Sequence, residues 1–142
     1  MSDKHTGACF CGAVVFEVTG QPAAMGYCHC DDCRGWLGAP VNAFGLWPAD
    51  AVRFVKGEDN VGTYAKTDQS LRKFCKTCGG AVLTEHPGMG LTDAYPALIA
   101  GFRHEPAMHV HYAQKMMSVV DGLPKFKDLP KEVGGSGELL PE

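Results

Sequence analysis

Seven cysteines fall into three tight clusters: Cys9-Phe10-Cys11, Cys28-His29-Cys30-Asp31-Asp32-Cys33 and Cys75-Lys76-Thr77-Cys78. Nothing else constrains the fold so strongly, because thiolates gathered on one ion tie distant segments together. The opening MSDKHTGACFCG lacks the apolar run of a secretory signal, and no stretch approaches ~18 consecutive apolar residues. The expected setting is the reducing cytoplasm, with no membrane partner. There, clustered cysteines are metal ligands or catalytic groups more often than disulfides.

The run Cys75-Lys76-Thr77-Cys78-Gly79-Gly80 reads as a zinc knuckle. Its turn aims two thiolates at one ion, and the glycines admit the backbone needed to leave it. A closed tetrahedral site needs a second pair, and Cys9 and Cys11 are the natural supply. Cys28, Cys30 and Cys33 then remain, a set of three with one metal position open, which is the catalytic pattern. Zinc suits a four-thiolate, non-redox site better than iron, so two zinc ions per chain are expected. Other arrangements compete. Disulfides would leave one cysteine over. A ribbon joining Cys30 and Cys33 to Cys75 and Cys78 would leave Cys9, Cys11 and Cys28 spare. A histidine at 29, 109 or 111 would close the three-cysteine set.

Around these clusters the chain reads as β. Gly and Pro number 18 and 9 of 142 residues, which favours turns and short strands over long helices. Strands are predicted at 12–19, 41–47, 70–75, 81–85, 97–102 and 108–113, and a hairpin at 51–57 and 61–66, with a loop at 86–96. Only the stretch after Cys33 and the run QKMMSVV at 114–120 suggest a helical turn or two. The expected fold is mainly β: one zinc-bound domain of short antiparallel sheets over residues 1–130, with few or no helices. Residues 131–142 are polar and Gly/Pro-rich, and a loosely packed tail is expected there. A net charge of −3 argues against a nucleic-acid partner.

The order C-x-C, C-H-C-x-x-C-R followed by G-A, F-C-x-x-C-G-G and a closing H-V with D-G-L-P-x-F resembles the glutathione-dependent formaldehyde-activating family, which includes centromere protein V-type domains. The resemblance covers roughly residues 6–130. It implies a β-tent fold, a structural zinc on Cys9, Cys11, Cys75 and Cys78, and a catalytic zinc on Cys28, Cys30 and Cys33. One departure stands out: where relatives often carry a tryptophan, this chain has Lys115-Met116-Met117-Ser118.

The implied activity is that of a carbon–sulfur lyase, S-(hydroxymethyl)glutathione synthase-like, joining a thiol such as glutathione to formaldehyde or a related small aldehyde. Three thiolates make zinc a poor activator of water but a good binder of an incoming thiol, which it lowers toward thiolate. Arg34, directly after the third ligand, is the candidate partner for glutathione carboxylates. His29, between two ligands, is a candidate for steering protons, while His109 and His111 share one strand face and read as half-exposed strand residues. The rival reading is a non-catalytic protein-interaction or glutathione-binding module with both zinc sites structural.

Overall fold

The structure, a computed structural model, describes residues 3–142. Its strands are β1 (Lys4–Ala8), β2 (Val15–Thr19), β3 (Ala24–Cys28), β4 (Asn42–Pro48), β5 (Val52–Lys56), β6 (Val61–Thr67), β7 (Ser70–Cys75), β8 (Ala81–His86), β9 (Leu91–Ala94) and β10 (His109–Val110). One α-helix, α1 (Asp31–Leu37), follows β3. The fold is therefore mainly β, as the sequence suggests. Among the described residues, no helix is long and apolar enough to cross a membrane. The chain forms two compact units, one from residues 3–24 and Gly45–His104, the other from Met25–Phe44 and Glu105–Glu142.

In the first unit, β2 lies between β1 and β5, antiparallel to both. Alternation along β2 turns Phe16 and Val18 inward, while Glu17 meets Arg53 Nε at 3.1 Å. Gly7 stands opposite Phe16, whose ring occupies the space a Cβ would need. A further run of antiparallel pairs joins the end of β4 to β9, β9 to β8, β8 to β7 and β7 to β6. Phe16, Val18, Trp47, Val82, Leu83 and Ile99 form the core, and Cys9 and Cys75 are buried within it. Trp47 is wholly buried and satisfies its indole N–H on Gly20 O at 3.0 Å.

The strands expected at 12–19, 41–47, 70–75 and 81–85 are present, with β7, the cysteine turn and β8 in the predicted order. The hairpin expected at 51–66 does not form, because β5 pairs with β2 and β6 with β7. Gly57, at φ 73°, opens a 3-10 turn over Glu58–Asn60 in place of a two-residue turn. Asn60 then accepts from Lys76 N–H at 2.9 Å, so the turn serves the cysteine knuckle. The expected strand at 97–102 is a 3-10 turn, Pro96–Leu98, with a single bridge from Ile99 to Gly7. Within the expected loop at 86–96 lies β9.

In the second unit, β3 and β10 run parallel, pairing Tyr27 with His109 and Cys28 with Val110. This pair departs from the all-antiparallel expectation. Gly26 permits the approach: a Cβ there would strike Met108 O and the Phe44 ring. Helix α1 starts at Cys30, whose sulfur accepts from Cys33 N–H at 3.3 Å, and ends at left-handed Gly38. Residues 131–142 are largely exposed. They nonetheless return along the preceding segment, with Leu140 N–H on Lys125 O and Lys127 N–H on Glu138 O, both 2.8 Å.

Candidate metal centres

The first unit gathers Cys9, Cys11, Cys75 and Cys78, with all four sulfurs within 4.8 Å of one another. Cys9 and Cys11 sulfurs are 3.7 Å apart, and Cys11 and Cys75 sulfurs 3.8 Å. Backbone amides converge on them: Val14 N–H on Cys9 and Thr77 N–H on Cys75 at 3.3 Å, and Gly80 N–H on Cys78 at 3.4 Å. The knuckle closes through Gly79 N–H on Cys75 O at 2.8 Å, with Gly79 left-handed at φ 75°. Sulfurs this close cannot all ionise alone. Burial works to raise the Cys9 thiol, yet the Val14 N–H and the neighbouring sulfurs of Cys75 and Cys11 carry it down to about 6. Cys11, although helped by the Ala13 backbone, is pushed up to about 11 by desolvation and by its sulfur neighbours. A dication resolves that conflict by accepting all four as thiolates.

The second unit gathers Cys28, Cys30 and Cys33, again within 4.8 Å, and no fourth His, Cys, Asp or Glu joins that group among the described residues. The same conflict is sharper here. Cys28 is driven upward by its Cys30 and Cys33 neighbours and by burial, while hydrogen bonding from Cys28 and Cys33 drives Cys30 down. All seven cysteines are free thiols, so no disulfide competes.

Two clamps hold the 28–33 loop. Arg34 Nε donates to His29 O at 3.1 Å, and its Nη2 donates to Gln114 O at 3.0 Å and to Asp31. Gln114 Oε1 in turn accepts from Asp31 N–H at 2.9 Å. The second clamp is His29 itself. Its N–H donates to Val110 O at 3.1 Å, and its ring lies 2.8 Å from His109 Nδ1, with His109 Nε2 2.7 Å from Asp121 Oδ2. Both rings are wholly buried, and Tyr112 meets His29 edge-on at 4.9 Å. Burial, reinforced by His109, Lys115, Arg34 and Lys125, lowers His29 to about 4, so it stays uncharged at neutral pH. His29 Nδ1 is buried with no hydrogen-bond partner, an omission that usually costs about 1–3 kcal/mol.

Of the histidines read from the sequence, His29 and His109 come together, and neither groups with the three sulfurs. His111 does not share a strand face with His109, because β10 ends at Val110 and His111 is left-handed at φ 53°. Sequence reasoning missed Asp121, Lys125, Gln114 and Glu142. Lys125 is 1% exposed and bonds Asp121 and Glu142; nothing in D-G-L-P-K-F marks that lysine as interior.

The description "Glutathione-dependent formaldehyde-activating enzyme" matches residues 4–114. A Schizosaccharomyces pombe protein described as an uncharacterized lyase is 33% identical over 76 residues, which span 54% of this chain and 53% of that protein. The chain thus aligns with about half the length of that relative. A crystal structure of a Rhodobacter sphaeroides protein superposes with a TM-score of 0.57 at 26% identity, covering 69% of this chain and 90% of that one. The family match takes in both cysteine clusters and most of the chain. The chain belongs to the glutathione-dependent formaldehyde-activating enzyme family.

Proposed function

We propose that this protein is a zinc-dependent carbon–sulfur lyase that makes and breaks the adduct of a thiol with a small aldehyde, glutathione and formaldehyde being the leading pair. The three-sulfur group at Cys28, Cys30 and Cys33, with no fourth donor grouped with it among the described residues, carries this reading. Cys9, Cys11, Cys75 and Cys78 are the proposed ligands of a structural zinc. Their sulfur spacings of 3.7 and 3.8 Å suit the donor set, since zinc–sulfur bonds of ~2.3 Å put tetrahedral sulfurs about 3.8 Å apart. A zinc ion held by three thiolates supplies an open position where an incoming thiol is favoured as thiolate.

The chain's own residues prepare that position. The Cys33 N–H steadies Cys30, Arg34 and Gln114 pin the loop's exit, and His29 pins its middle. Arg34 remains part-exposed, and its uncommitted N–H groups are the proposed contact for a glutathione carboxylate. In the forward direction the substrate sulfur bonds to the carbonyl carbon, and the aldehyde oxygen ends with the proton the thiol released. The reverse breaks that carbon–sulfur bond and returns both partners. Seven free thiols suit the reducing cytoplasm.

Elemental analysis combined with exchange NMR of glutathione and formaldehyde tests the proposal. The expected result is about two zinc ions per chain, adduct exchange faster than in buffer, and loss of that acceleration in Cys30→Ser. Zinc at one per chain, or acceleration that survives Cys30→Ser, overturns it. Tight glutathione binding without acceleration would favour a binding module.

A further inference from the structure

The reaction leaves one cluster unexplained, in which His29, His109 and Lys125 are buried and Asp121 reaches the surface. His29, His109, Asp121 and Lys125 form a single hydrogen-bonded chain, with links of 2.8 Å from His29 to His109 and 2.7 Å from His109 to Asp121. Its polarity is set from the far end. Lys125 Nζ and Leu123 N–H both donate to Asp121 Oδ1, which turns Oδ2 toward His109. A carboxylate only accepts, so His109 Nε2 carries hydrogen. In the neutral ring Nδ1 is then an acceptor, and His29 Nε2 donates to it. That leaves His29 Nδ1 as a bare lone pair, and it is the ring nitrogen found buried without a partner.

We propose that His109 and Asp121 are positioning residues for the three-cysteine centre: they fix both the orientation and the tautomer of His29, the residue between Cys28 and Cys30. The proposal rests on the reading of that centre as an active metal site. Ring and backbone of His29 are restrained together, by His109 on one side and by Val110 O and Arg34 on the other. The flanking sulfurs inherit that restraint. Neighbours that orient a metal loop from outside the ligand set act in this way.

Asp121→Asn is the decisive variant because it keeps shape and reverses polarity. Lys125 and Leu123 N–H can only donate, so the amide oxygen stays with them and the amide nitrogen faces His109. His109 Nε2 must then accept, its hydrogen moves to Nδ1, and His29 must carry its own on Nδ1. Nitrogen-15 NMR of the imidazoles in zinc-loaded protein, at one pH where both rings are neutral, reads this directly. Hydrogen should sit on Nε2 of both rings in the wild type and on Nδ1 of both in the variant. Zinc should leave the three-cysteine centre more readily under chelator, and kcat should fall roughly 10-fold or more while KM changes little.

His109→Gln keeps the acceptor-then-donor order and should retain zinc better than His109→Leu, a comparison that decides the matter if Asp121→Asn does not fold. Hydrogen on Nδ1 in the wild type, tautomer reversal with zinc retention and kcat unchanged, or glutamine no better than leucine would each overturn the proposal. A wild-type protein with the expected tautomers and zinc behaviour, but no thiol–aldehyde turnover, would instead overturn the lyase reading and leave the positioning role standing.

Discussion

Asp121 is the residue where electrostatics and stability meet most openly. Burial works to raise its carboxyl, but hydrogen bonds from Lys125, His109 and Leu123 N–H outweigh that and hold it well below the ordinary value of 3.8. A carboxyl depressed on folding adds stability that is complete above the unfolded value and is lost as pH falls through the folded one. The wild type should therefore melt above Asp121→Asn near neutrality, with the gap closing once pH drops below about 4. Melts across that range check it, and a gap that persists into strong acid would contradict it. Arg34 shows how far a single residue is readable from its neighbours in sequence. Its place after Cys33 marks it as a candidate for the site, and its bond to His29 O is local, but its bond to Gln114 O depends on a segment 80 residues away. No local pattern encodes that partner.

Among the elements, legibility followed periodicity. Strands β2, β4 and β8 carry several β-branched or aromatic residues and β7 is marked by its place before the cysteine knuckle, whereas β1 (KHTGA) and β3 (AMGYC) carry few and are recognisable only through their partners. Local pattern also misassigned the partner of β5, because the Glu58–Asn60 turn answers to the knuckle rather than to a hairpin. The β1–β2 pair yields a packing prediction. With the Phe16 ring filling the space beside Gly7, Gly7→Ala should destabilise by about 1–3 kcal/mol through overpacking. Adding Phe16→Leu should recover part of that loss, since residues in direct contact do not act additively. Denaturant titration of the single and double variants measures the coupling.

At the scale of the whole molecule, the two cysteine centres belong to different units and should fail differently. One ion on Cys9, Cys11, Cys75 and Cys78 would bridge segments 64 residues apart, and a cross-link over such a span removes on the order of 4 kcal/mol of denatured-chain entropy. Cys75 is also buried in the core. Cys75→Ser should therefore yield little folded protein, while Cys30→Ser, confined to a six-residue loop, should leave a folded chain. Thermal melts and zinc content of the two variants decide it; equal unfolding would erase the distinction between the centres. Spacing in sequence made each cysteine cluster legible as a metal-binding element, while the joining of Cys75 and Cys78 to Cys9 and Cys11, rather than to Cys30 and Cys33, takes the fold to decide. The histidine–aspartate chain was not legible, since hydrogen bonds between residues distant in sequence, 29, 109 and 121, join it. That separation has a consequence for biosynthesis. The three cysteines leave the ribosome before the residues that hydrogen-bond the His29 ring, which follow on the order of ten seconds later at ordinary elongation rates. Throughout that interval the nascent chain presents a soft, unrestrained trap for any thiophilic ion. A metal taken up in that interval would be bound before the His29–His109–Asp121 contacts exist.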